Sequence, residues 1–148
     1  MTTATSTTTE IAARLRLAVG RLARSLRHQD RSGLPLTLSA AVATIARRGP
    51  LTLGELATCE QVAPPTITRV VARLEEQGLV TRRIDRDDRR VARVELTARG
   101  KRQLESDRKR RVAWLASRLG ELDADERDRL AAALDVLEQL ASAPQADT

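Results

Sequence analysis

Residues 52–100 read TLGELATCEQVAPPTITRVVARLEEQGLVTRRIDRDDRRVARVELTARG. Thr52 followed three residues later by Glu55 is a capping box at the head of a short helix that carries Leu56 and Ala57 and ends near Gln61. Pro64-Pro65 suits the first turn of the next helix, whose inward face is Ile67, Val70, Val71 and Leu74. Thr66, Thr68, Arg69 and Arg73 point elsewhere, and Gly78 stands where a helix ends. Helix, tight turn and a second helix exposing hydroxyls and guanidiniums form a helix-turn-helix. The period then changes. Leu79–Arg83 and Val91–Leu96 read as two strands, with residues 84–90 between them too polar to be buried. Two strands with a charged tip, directly after that second helix, form a β-wing.

Outward from this block the pattern is helical. Upstream, Ser39 is expected to cap a helix running through Val42 and Ile45 to Arg48, stopped by Gly49-Pro50. Before it, Ile11, Leu15, Val19, Leu22 and Leu26 mark one face of a first helix that ends near Ser32-Gly33-Leu34-Pro35. Downstream, Thr97 caps a long helix to about Leu119, with Leu104, Val112 and Leu115 as further apolar positions. Asp123 with Glu126 opens a last helix carrying Leu130, Leu134, Leu137 and Leu140. The fold class is therefore mainly α with a small β-wing, a winged helix-turn-helix with additional N- and C-terminal helices. Residues 1–9, rich in Thr, are expected as a flexible arm and 142–148 as a flexible tail.

The apolar faces at the two ends exceed what a small winged lobe can cover. Ile11, Leu15, Leu22, Leu119, Leu130, Leu134 and Leu137 are accordingly expected to form a homodimer interface. Residues 10–36 and 101–141 are then dimerisation helices, and 37–100 the DNA-binding lobe.

Composition narrows the function. The 148 residues, 41% hydrophobic and 31% charged, suit one domain with its own core. Residues 1–118 hold 24 Arg or Lys against 12 Asp or Glu, net +12, while residues 119–148 hold 2 against 8, net −6. A basic body suggests a polyanion partner, although the preference for Arg over Lys is equally what a GC-rich genome produces. One Cys and one His exclude an internal disulfide and a Cys/His zinc site. The near-absence of aromatics argues against stacking on single-stranded bases. No Gly-rich phosphate loop, nucleophile elbow or metal cluster is present in the sequence, so neither an enzyme nor a cofactor is expected. No apolar run suits a membrane span, and the N-terminus lacks a signal pattern, which favours the cytoplasm.

At the wing, Asp88 is placed to orient Arg90 through a charge-assisted pair, and an Arg so held suits a narrow, negative minor groove. The plain alternative is an exposed charged turn. Arg86 and Arg89 are phosphate contacts or idle. On the second helix of the motif, Arg69 is the best candidate for a guanine edge. Cys59 lies inside the motif beside Glu60, which disfavours a thiolate. It reads as packing rather than as a redox sensor. His28 closes the first helix with no identifiable partner for pH sensing.

These residues carry a resemblance. Asp88, Arg90, Val94, Leu96-Thr97 and Gly100 stand at the spacings of the wing signature of MarR-type regulators. Pro65-Thr66-Ile67-Thr68-Arg69 followed by Leu74-Glu75-Glu76-Gln77-Gly78-Leu79-Val80 resembles that family's recognition helix and exit. The similarity covers about residues 10–141 in element order. It implies a homodimer whose first helix and last two helices intertwine with those of its partner. It also implies binding of palindromic double-stranded operator DNA, usually as a repressor released by a small phenolic or otherwise lipophilic ligand. One position departs from the pattern: Ala63 stands where many members place a capping residue, at a usual cost of about 0.5–2 kcal/mol. Two other readings remain open, a winged helix used for protein contact and a redox-responsive regulator using Cys59.

Overall fold

A computed structural model describes residues 7–142. The described residues fall into two units, divided between Arg111 and Val112. The first begins with helix α1, Thr8–Arg27, closed by a capping box in which Thr7 accepts from the Glu10 amide and Glu10 from the Thr7 amide. Thr7 to Thr9 thus belong to the helix and its cap rather than to a flexible arm; residues 1–6 of that expected arm lie outside the described residues. After a turn comes α2, Leu36–Arg48. Its cap lies four residues earlier than the expected Ser39. Pro35 holds the N-cap position, while the Ser39 hydroxyl, one turn inside, donates to the Leu36 carbonyl. Pro35 offers no side-chain bond, and the helix opens on its carbonyl, which accepts from the Leu38 and Ser39 amides.

The centre of the unit is α3, Leu53–Glu60, and α4, Pro64–Glu76. They are joined through Gln61, which adopts the left-handed conformation at φ 53°. The expected capping box of α3 is present in both directions, at 3.1 and 2.8 Å. Helix α4 has no side-chain cap at Ala63, as the sequence implied. A sheet follows in the order β1-β3-β2, all antiparallel: β1 is Leu51–Thr52, β2 Val80–Ile84 and β3 Ala92–Leu96. Val80 pairs with Leu96 and Ile84 with Ala92 across the wing, and Leu51 pairs with Val94. The two-residue β1 has too few positions to show any period, and it escaped the sequence reading.

One core unites these elements. Leu56, Ile67, Val71, Leu74 and Val94 are essentially inaccessible, with Leu38, Val42, Ile45, Leu79 and Val80 around them. All four residues assigned to the inward face of α4 are buried. Helix α5, Ala98–Gly120, starts where expected. Thr97 accepts from the Gly100 amide at 3.0 Å and donates its own hydroxyl to the Gly78 carbonyl at 2.6 Å, so one side chain caps α5 and fixes the exit of α4.

In the second unit α6, Ala124–Ser142, is capped by Asp123 and Glu126 in the reciprocal pattern. Ser142 is thus helical, and residues 143–148 of the expected tail lie outside the described residues. Neither α1 nor α6 has a single buried residue. Ile11, Leu17, Val19 and Leu22 stay exposed on α1, and Leu130, Leu134, Val136 and Leu140 on α6. No described helix is long and apolar enough to cross a membrane.

Candidate nucleic-acid interface

The outer side of α4 carries the four residues singled out from the sequence. Thr68, Arg69 and Arg73 are exposed and Thr66 is half-buried. Their chemistry is not uniform. The Thr68 hydroxyl donates to the Pro64 carbonyl at 3.0 Å, which leaves its oxygen free to accept. Arg69 makes only a long 3.4 Å bond to the Pro65 carbonyl, and neither Arg69 nor Arg73 forms an ion pair among the described residues. The C-terminal end of α4 is tied to the wing by Glu75, which accepts from Arg82 of β2 at 2.8 Å.

The wing tip is built on carboxylates. Asp85 accepts from the amides of Asp87 and Asp88 at 2.8 and 3.3 Å, turning the chain. Asp88 accepts from the Arg90 amide at 3.0 Å and from the Arg90 guanidinium at 3.2 and 3.5 Å. The expected orienting pair therefore exists, with the Arg90 side chain 91% exposed. Arg86 and Arg89 are exposed and have no ion-pair partner among the described residues.

A further group escaped the sequence reading. Arg93 of β3 lies between two acids, donating to Asp85 at 2.6 Å and to Glu55 at 3.2 Å. Glu55 is also the capping residue of α3. A continuous chain of charge-assisted bonds thus runs from the head of the helix-turn-helix, through Arg93 and Asp85, to the turn that presents Arg90. Its ionisation follows from these contacts. The Arg93 side chain and the two backbone amides hold the Asp85 carboxyl down at about 2. The Thr52 amide, and then Arg93, lower Glu55, while the Asp85 carboxylate raises Arg93. The signal in the sequence was the alternation of β3, which puts Arg93 opposite Val94 in facing, but periodicity does not name a partner 38 residues away.

Arg93→Ala is expected to loosen the wing without unfolding the lobe, because the guanidinium joins surface acids and no core residue. Exchange of the Asp87 and Asp88 amides should accelerate while that of the α4 amides stays as in the parent. Equal protection of the wing amides in both proteins would show that Arg93 does not hold the tip.

The positions expected at a homodimer interface are divided between the units. In the first, Ile11 and Leu22 are exposed and Leu15 half-buried; in the second, Leu130 and Leu134 are exposed and Leu119 and Leu137 half-buried. Cys59 is a half-buried free thiol. His28 is exposed at the end of α1. Within the first unit, α1, α2 and the start of α5 also line a half-open pocket of about 320 Å³. Among the described residues no cluster of His, Cys, Asp or Glu is arranged to hold a metal.

Comparison with known proteins agrees with this architecture. The MarR family model matches residues 34–92. An uncharacterised HTH-type transcriptional regulator of Mycobacterium bovis is 40% identical over 129 residues, spanning 86% of this chain and 90% of that protein. A MarR family protein from Bacillus stearothermophilus superposes with TM-score 0.73 at 26% identity, over 93% of this chain and all of that one. A variant of MepR from Staphylococcus aureus, solved bound to an oligodeoxyribonucleotide, shares the fold at TM-score 0.69 and 17% identity, over 89% of this chain and 96% of that one. The chain belongs to the MarR family of helix-turn-helix transcriptional regulators, with a DNA-binding fold.

Proposed function

We propose that this regulator acts as a homodimeric, ligand-responsive repressor of a palindromic operator. The observation that carries the DNA reading is Arg90, a guanidinium almost wholly in solvent yet held in a fixed direction by Asp88. A side chain held this way has already lost much of the rotamer freedom that binding would remove, and it suits the minor groove beside the recognition site. Helix α4 then enters the major groove, with Arg69 or Arg73 reading guanine. Thr68, whose hydroxyl proton is engaged, fits an amino group of adenine or cytosine better than a phosphate. Arg86 and Arg89 supply backbone contacts. The DNA-bound relative of the same fold supports this reading.

Homodimer formation is supported by the exposed leucines of α1 and α6, which a second copy would cover. Two recognition helices would then lie about 34 Å apart, one turn of DNA. Ligand release is supported by the cavity beside α1, α2 and α5. A ligand that binds a DNA-incompetent spacing better than the competent one shifts the population away from DNA.

Selection of bound fragments from genomic DNA, followed by a salt titration on the recovered site, tests the proposal. With about six phosphate contacts, affinity should fall about a thousandfold between 50 and 200 mM salt. Absence of any enriched fragment, or binding indifferent to salt, would favour a winged helix used for protein contact instead.

A further inference from the structure

Among the described residues the most exposed large apolar side chain is Ile84, 67% exposed at the end of β2. It exceeds every leucine, isoleucine and valine of α1 and α6, the helices expected to meet a second copy. Scattered surface hydrophobes are ordinary, but the place of this one is not. Ile84 pairs with Ala92, also exposed, as the last rung of the wing, and the Asp85 amide beyond it donates to the Val91 carbonyl at 2.8 Å. Rungs two residues apart share a face, so Ile84 and Ala92 continue the side that carries Val80 with Leu96 and Arg82 with Val94. That side is buried at Val80, Val94 and Leu96, and at Arg82 it turns to Glu75 near the end of α4. One rung further it has left the core. It ends in two apolar side chains on the flank of the wing that looks toward α4.

The surroundings narrow what can cover this flank. Arg82, Arg83, Arg86, Arg89 and Arg90 all fall between residues 82 and 90, and Arg86 and Arg89 have no ion-pair partner among the described residues. An apolar protein surface laid on Ile84 would strip water from these guanidiniums without matching them. The wall of a DNA groove alternates the two chemistries, with phosphates at its lip and deoxyribose C–H edges inside. Proteins that enter the minor groove frequently bring aliphatic side chains together with basic ones. Branching at Cβ also leaves Ile84 few rotamers to lose on binding.

We propose that Ile84, backed by Ala92, packs on the deoxyribose edges of the minor groove that Arg90 enters, and supplies the wing with affinity that does not depend on salt. The assignment rests on the reading of the wing as the minor-groove element and adds an apolar contact to its ionic one.

Binding of the full chain to the duplex recovered from genomic DNA, titrated with salt, tests it. Ile84→Thr keeps the β-branch and the charge of the wing, and at an exposed position it should unfold at the parent's urea concentration. It should lose about threefold or more in affinity for each protomer engaged, with the slope of log affinity against log salt as in the parent. Ile84→Val should lie between the two. Trimming the duplex until the flanking minor grooves are gone should abolish the difference between Ile84→Thr and the parent. Parent-like affinity of Ile84→Thr, a salt slope that it makes shallower, or a difference that survives trimming would each overturn the proposal. Arg90→Ala separates the two readings. Where it weakens binding and Ile84→Thr does not, the wing lies in the groove without an apolar contact. Where neither matters, or no DNA binds, the wing reading itself falls and this inference with it.

Discussion

Gly100→Ala is expected to remove most of the stability of the winged lobe. A Cβ at this position would lie 2.1 Å from the Leu79 carbonyl oxygen and 3.0 Å from its carbon. Both are backbone atoms, so no rotamer change relieves the clash. The strand start cannot retreat either. The Leu79 carbonyl accepts from Thr97, the Leu79 amide donates to Leu74, and the Leu79 side chain is 5% exposed in the core. Separating α5 from β2 by the required distance would break the Thr97 bonds to Gly78 and Gly100 together. A loss of more than about 4 kcal/mol, in the range reserved for severe lesions, is the expected result. Urea unfolding measures it, with Gly120→Ala as the contrast, since nothing lies within 4 Å of a Cβ there. A Gly100→Ala protein within about 1 kcal/mol of the parent would show that the Leu79 backbone yields to a Cβ at this position.

Arg90→Ala is expected to have the largest effect on DNA binding with the least effect on folding. Among the described residues its guanidinium bonds to Asp88 alone, so the lobe should unfold at the same denaturant concentration as the parent. Loss of a charge-assisted contact costs about tenfold in affinity for each protomer engaged, or about a hundredfold for a dimer using both wings. The slope of log affinity against log salt should also become shallower. Asp88→Asn, which keeps the guanidinium but weakens its anchor, should fall between parent and Arg90→Ala. Unchanged affinity of Arg90→Ala at moderate salt would remove the wing from the interface.

What could be read in the sequence divides along a physical line. Local chemistry was legible. The box of Thr52 and Glu55, the cap at Thr97, the inward face of α4 and the Asp88–Arg90 pair all join residues within a few positions of one another, where spacing alone fixes geometry. Contacts closed by tertiary folding were not. β1 exists only because β3 is beside it. The partners of Arg93 and Arg111 come from segments 38 and 81 residues away. The start of α2 differs from the expected one because serine is the commoner capping signal, whereas this helix begins at Pro35 with no side-chain cap at all.

The bonds that hold Arg93 have one more consequence. Asp85 remains charged down to about pH 2, and Glu55 and Arg93 are each shifted further into their charged forms. As acidity rises, the salt links at Asp85 would give way only between its ordinary value near 3.8 and about 2, far below any pH of growing cells. The links that Arg93 makes to Asp85 and Glu55 thus work as a gauge of fixed calibration at the pH of growing cells. In the proposed homodimer, a ligand would then release DNA by changing the distance between two such gauges rather than the charge of either.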